Sequence, residues 1–182
     1  GDTLPETNFQ PTWEAAAVPY PQAALGAGSW DLETRALRAP RDKIRTGRKA
    51  LKDVYGSPMR GVGTGLNGAF VIDNASKEHL CAQDPRSAEL LKPFLEGKDL
   101  KRWRAEPRGL WLIYIPKNRI EIDDYPAIRD WLLPFKDKLE ARATKQEWFE
   151  LQQAQEAYIP RFAEPKVIYN RFTDKPNFAF VD

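Results

Sequence analysis

Three stretches of this sequence hold residue types that could do chemistry. The first is GVGTGLNGAFVID, Gly61 to Asp73, in which Gly63, Gly65 and Gly68 stand at G-x-G-x-x-G spacing. A dinucleotide site needs that spacing between a strand and a helix. Here a turn-like SPM precedes it and AFVID, read as a strand, follows, so the setting is wrong for a nucleotide. The glycines then serve positive φ or a close approach of backbone, either to neighbouring protein or to a DNA phosphate. Asn67 can meet a base edge, most naturally adenine, or simply form a turn. The second stretch is GKDLKRW, Gly97 to Trp103, where Lys98, Lys101 and Arg102, with Arg104, gather beside Trp103. Cations next to an aromatic suit a nucleic-acid backbone, and Arg can read guanine with two parallel hydrogen bonds. The bland alternative leaves these cations facing solvent; Trp103 is expected in the core under either reading. The third is IYNRF, Ile168 to Phe172. A strand there puts Tyr169 and Arg171 on one face and Asn170 on the other, for groove contact or as ordinary edge residues.

The catalytic candidates are thin. Glu164-Pro165-Lys166 resembles the E-x-K end of a nuclease motif, but no acid on a neighbouring strand completes it, and a salt bridge explains it as well. Asp123 and Asp124 could pair for acid–base work; helix capping accounts for them more simply. Cys81 and His79 are each the single residue of their type, which removes disulfides, Cys-rich zinc sites and His clusters. There is no G-x-S-x-G, P-loop or H-E-x-x-H. No catalytic centre, metal or cofactor site is expected.

The elements that must position these residues follow from pattern. Residues 1 to 30, rich in Pro, Ala and Gly, read as a linker or wrapping arm. From Asp31 the pattern is helical, with Pro40 and Gly47 expected to break it and a short basic helix over 48–55. Asp84 can cap a helix through Pro85, with Leu91, Phe94 and Leu95 on one face and Gly97 at its close. LWLIYIP from Leu110 reads as a buried strand. Asp124 to Ala143 forms the best helix, capped by Asp124 and kinked by Pro134, its stripe being Ile128, Trp131, Leu132, Phe135 and Leu139. A second short helix is expected over 147–152. KVIYN and NFAFVD are strands, joined by a turn-like RFTDKP. Without regular βαβ alternation the class is α+β: a mixed, mainly antiparallel sheet packed with several short helices and one longer kinked helix. Residues 31–182 are expected to form one domain.

Composition agrees with a folded chain. Of its 182 residues, 42% are hydrophobic and 12% aromatic, enough for a core without disulfides. No apolar run approaches the roughly 20 residues of a membrane span, and scarce cysteine suits a reducing cytoplasm. Charge is unevenly spread. Residues 1–34 carry five acids and no Lys or Arg; residues 35–60 carry nine Lys/Arg against Asp42 and Asp53, a local balance of +7. Such a segment can neutralise phosphates or be a solvated helical face. The chain begins with Gly and stops within an expected strand, so both ends read as cuts within a longer protein.

Taken in order, the segments resemble one family, the TaqI-like C-terminal specificity domains of bacterial type IIG restriction–modification enzymes and adenine-specific DNA methyltransferases. Gly63, Thr64, Gly65, Asn67, Ala69 and Phe70 fall in register with its Gly-rich stretch. Gly97, Asp99, Arg102 and Trp103 match its G-[KR]-D segment. Tyr125, Pro126 and Leu139, then WFELQ and EPKVIYNRF, follow in order over residues 30 to 182. The resemblance implies a target-recognition domain for double-stranded DNA, with contacts expected at Arg60, Asn67, Lys98, Lys101, Arg102 and Arg171, Asn67 and Arg171 being the base readers. It implies that an N-terminal methyltransferase domain in cis binds S-adenosylmethionine and carries N-P-P-[YF], and that Mg2+ is needed if a nuclease is fused. VPYP, Val18 to Pro21, lacks the Asn of that motif. The alternative is a protein-interaction or assembly module within a restriction–modification or phage-defence complex, using the acidic arm and basic segment as contacts.

Overall fold

Leu110 to Ile113 is all apolar, which suits a strand paired along both edges. The structure, a computed structural model, describes residues 9–20, 22–25, 27, 30, 35–170 and 177–181. The chain divides into two units, Gly1–Pro58 and Met59–Asp182. That division falls later than the change of composition near residue 30.

The described residues of the first unit include the helices α1 (Phe9–Ala16), α2 (Arg35–Arg45) and α3 (Leu51–Tyr55), with a 3-10 turn at Gln22–Ala24. Pro40 does not break α2, contrary to the sequence expectation. It forfeits only the bond to the Ala36 carbonyl, and both residues lie on an exposed side where water can take that carbonyl. No side chain of α3 is buried.

The second unit is α+β. In chain order it runs α4 (Asn67–Phe70), β1 (Val71–Ile72), α5 (Asn74–Gln83), α6 (Ser87–Leu90), β2 (Leu91–Phe94), β3 (Leu100–Lys101), β4 (Arg104–Ala105), β5 (Leu110–Ile113), α7 (Pro126–Leu132), α8 (Lys136–Glu140), β6 (Lys166–Tyr169) and β7 (Phe178–Val181). β5 is the centre of an antiparallel sheet, with Val71 opposite Leu112 on one edge and Leu91 opposite Ile113 on the other. β3 pairs with β4, and β6 with β7, as separate antiparallel hairpins. The core lies between the β5 sheet and the helices. Phe70, Leu80, Ile113, Ile115, Ile128, Leu132, Leu139 and Leu151 are buried there, each side chain contributing about 1.5–3 kcal/mol through burial. α7 starts at Pro126, and the chain turns through Leu133–Phe135, at Pro134, into α8. Trp131 ties α7 to α4 by donating to the Ala69 carbonyl at 3.0 Å.

Several local expectations are corrected. The helix expected through Pro85 to Gly97 is only the turn α6; the chain then becomes β2, an edge strand with Pro93 opposite Trp111. Pro93 disfavours helix at Lys92 and lacks the N–H a helix would use, whereas an edge strand tolerates it. Within AFVID, Ala69 and Phe70 complete the turn α4 and only Val71 and Ile72 are strand. Helix α5 was not anticipated, although Asp73 accepts from the Ser76 N–H at 2.8 Å and caps it. That backbone bond leads the causes that hold the Asp73 carboxyl below its ordinary value. Asp124 caps nothing: it ends a 3-10 turn, and Tyr125 stands at the head of α7. Residues 147–152 form turns rather than a helix, because their backbone groups bond elsewhere. Leu151 donates to the Ile115 carbonyl at 2.9 Å, and Arg142 takes the carbonyls of Trp148 and Glu150. β6 and β7 fall where expected; the connection between them lies outside the described residues.

Candidate nucleic-acid interface

The Gly-rich stretch is scaffold. Gly63 exchanges backbone hydrogen bonds with Gln153 at 2.9 and 2.8 Å. Gly65 has φ +79°, and a Cβ there would lie 2.8 Å from Cδ of Arg142. The Arg142 guanidinium donates to the carbonyls of Thr64 (3.0 Å), Leu139 (2.8 Å), Glu147 (3.3 Å), Trp148 (2.9 Å) and Glu150 (2.8 Å). Burial pulls its pKa below the ordinary value, against the nearby Glu150 carboxylate. Glu150 itself is buried and accepts from the N–H groups of Asn118 and Glu147. Gly63 therefore serves a close approach of protein backbone and Gly65 a positive φ beside the Arg142 and Gln152 side chains, whereas a Cβ at Gly61 or Gly68 would meet nothing within 4 Å.

Asn67 takes the turn-forming role. Its Oδ1 accepts from the Thr64 hydroxyl at 2.6 Å, and its amide points a long 3.5 Å bond at Glu96. Leu66 donates to the same hydroxyl at 3.1 Å. The side chain is still exposed, and it lines a depression of about 470 Å³ with Gly61, Glu96, Gly97 and Lys98.

The segment from Glu96 to Arg108 carries the cations and is braced from beneath by two carboxylates. The Glu96 N–H donates to Asp99 Oδ2 at 2.8 Å, closing a 3-10 turn over Gly97–Asp99. Asp99 is buried and paired with Nε of Arg108, whose Nη2 reaches Glu96. Burial works against the Asp99 charge, but the Arg108 guanidinium and the Glu96 N–H outweigh it and hold the carboxyl below its ordinary value. Glu96 is lowered too, first by its bond to Lys98. The same two carboxylates raise Arg108, Asp99 foremost. From this base the hairpin β3–β4 projects. Lys98 pairs with Glu96 at 2.8 Å, and Lys101 donates to the Lys98 carbonyl at 2.9 Å. Both side chains, like Arg102, are exposed. A second depression of about 700 Å³ is lined by Lys98, Lys101 and Arg102 together with Asn170 and Asn177. The two depressions share Gly97 and Lys98.

Asn67, Lys98, Lys101 and Arg102 are thus brought to one surface. Arg60 is exposed and precedes Gly61, which lines the smaller depression. Arg171 lies outside the described residues.

Trp103 is corrected outright: it is 66% exposed. β3 and β4 have two residues each, and Trp103 occupies the turn between them with φ 73°. That backbone swings the ring away from the core, onto Phe178 at 6.4 Å between ring centroids.

Asn170 donates to the Gly97 carbonyl at 2.9 Å and so docks the end of β6 against the cation segment. Sequence reasoning placed it only on a strand face. The Asp99–Arg108–Glu96 brace was missed; nine residues separate Asp99 from Arg108, and no local pattern couples them. Lys166 donates to the Phe162 and Glu164 carbonyls, and Asp123 pairs with Arg129 at 2.9 Å, so both earlier catalytic candidates are held in structural bonds. Among the described residues no group of three or more His, Cys, Asp or Glu could hold a metal ion, and no helix is long and apolar enough to cross a membrane. Compared with known proteins, the chain matches no family model and no curated protein.

Proposed function

We propose that this chain is a sequence-specific duplex-DNA recognition module of the TaqI-like specificity class, which holds the target for adenine N6-methylation by an N-terminal domain in cis. That domain supplies S-adenosylmethionine binding and the chemistry, and a fused nuclease, where present, uses Mg2+. The working compartment on this reading is the cytoplasm. One observation carries the proposal: Lys98, Lys101 and Arg102 stand together around one depression, which adjoins a second through Lys98, on a segment fixed by Arg108 and the buried Asp99. Cations fixed from behind grip phosphates without first having to be ordered, and phosphate grip sets the register in which bases are read. Base reading then falls to Arg171, and to Asn67 only if it exchanges its bond to Glu96 for one to a base.

Selection from a pool of duplexes of random sequence should enrich one short site. Affinity for that site should fall by about 0.9 log units per log unit of salt for each phosphate gripped. Binding that ignores salt, or a pool that emerges unenriched, refutes the reading.

A second reading has its own observation. Leu37 and Ile44 of α2 and Leu51 and Val54 of α3 are exposed, which favours an assembly contact through the first unit. Sedimentation with and without DNA separates the two: self-association that needs no DNA supports assembly.

A further inference from the structure

Beside the cation segment lies an exposed aromatic surface that phosphate grip leaves unexplained. In the β6–β7 hairpin Tyr169 stands opposite Phe178 and Val167 opposite Phe180, and all four are exposed on one face. At its near end Trp103 stacks on Phe178 with the rings 17° from parallel, and Tyr169 meets Phe178 at 5.6 Å. Trp103 stays two-thirds exposed despite that contact, and the Arg102 guanidinium lies 5.5 Å from its ring centroid. The Trp103 backbone adopts a positive φ, in the turn position ordinarily given to Gly or Asn. Neither burial nor turn chemistry therefore accounts for a Trp here.

Resting on the DNA reading above, we infer that Trp103, backed by Phe178 and Tyr169, is a stacking platform for an unpaired DNA base whose flanking phosphates are held by Lys98, Lys101 and Arg102. The chemistry is complementary at both levels. A nucleobase has an apolar π-face that fits an exposed indole, and each base carries a phosphate that fits the adjacent cations. A fully paired duplex keeps its base faces covered and offers this ring nothing to stack on. Asn170 and Asn177 line the same depression and can bond the edge of a stacked base. Val167 and Phe180, farther along the face, extend the apolar surface.

The test uses the whole chain and three fluorescent DNAs of equal length: a paired duplex, the same duplex with a short central mismatch bubble, and the single strand. Wild type should prefer the bubble to the duplex. Trp103→Gly suits the turn and should leave the melting temperature unchanged or higher. It should weaken bubble and single-strand binding by about tenfold, the stacking contribution of one base, and leave paired-duplex affinity within about twofold. Trp103→Phe should restore most of the preference, and Trp103→Leu, apolar but without a π-face, should not. Bubble preference that survives in both the Gly and Leu variants overturns the inference while leaving duplex recognition standing. Equal losses on all three DNAs, or rescue by Leu, would also overturn it. So would unchanged DNA binding accompanied by lost self-association, which would make the face a protein contact. Failure of wild type to bind any of the three DNAs overturns the DNA reading itself, and this inference with it.

Discussion

Replacing Arg142 by Met removes the guanidinium, whose carbon lies 5.7 Å from the Phe70 ring centroid, and keeps most of the stem's length. Five carbonyls lose a donor, but not equally. Thr64 O also accepts from Gln152 N at 3.4 Å, Glu147 O from Glu150 N at 3.0 Å, and Leu139 O from Arg142's own N–H at 3.5 Å. The carbonyls of Trp148 and Glu150 keep no other protein donor among the described residues. Each orphaned carbonyl costs about 1–3 kcal/mol, and the half-buried position of Trp148 lets water recover part of it. The expected loss is therefore about 2–4 kcal/mol, a large share of the roughly 5–15 kcal/mol that stabilises a domain. Urea unfolding of wild type and variant, followed by tryptophan fluorescence, measures it as a lower midpoint. A loss below about 1 kcal/mol would refute the claim that Arg142 locks the Gly-rich loop to residues 147–150.

Gly65→Ala should destabilise by more than the about 1–2 kcal/mol of a left-handed residue, because the new Cβ meets Arg142 at 2.8 Å. In an Arg142→Ala background that excess should shrink, as a double-mutant cycle by denaturation would show. Alanine at Lys98, Lys101 and Arg102 together should flatten the salt dependence of duplex binding by about 2.7 in slope, the sum of three phosphate contacts; anisotropy titrations at several salt concentrations read it, and an unchanged slope counts against phosphate contact. Asp99 titrates below its ordinary value when folded, so its contribution is present above about pH 4 and lost as pH falls through the folded value. Asp99→Asn should therefore lower stability at neutral pH and make it less sensitive to acid, measured as melting temperature against pH. Ile128→Ala, at a fully buried site, should cost about 2–5 kcal/mol in the same unfolding assay.

The sequence alone determined those elements whose pattern is local. Within LWLIYIP, Leu110–Ile113 is strand because a continuous apolar run needs cover. The kink after α7 sits at Pro134 because proline lacks an N–H. β6 and β7 read directly from their β-branched and aromatic residues. The α+β class followed from the order of these pieces. The cations at 98, 101 and 102 were also legible, since only a surface tolerates so many charges together. Tertiary structure decided what depended on distant partners. Leu91 to Phe94 is apolar enough for helix or strand, and the free edge of β5 chose strand. Residues 147–152 have helix-compatible composition, yet Arg142, Ile115 and Thr64 claimed their backbone groups first. Trp103 reads as core by type, but a two-residue turn with positive φ turned it outward. Asn67, a base reader or a turn residue by type, was drawn into the turn by the Thr64 hydroxyl next to it in space. For Leu91–Phe94 and residues 147–152 a contact made far along the sequence selected the state, whereas for Trp103 and Asn67 the geometry of a short turn did.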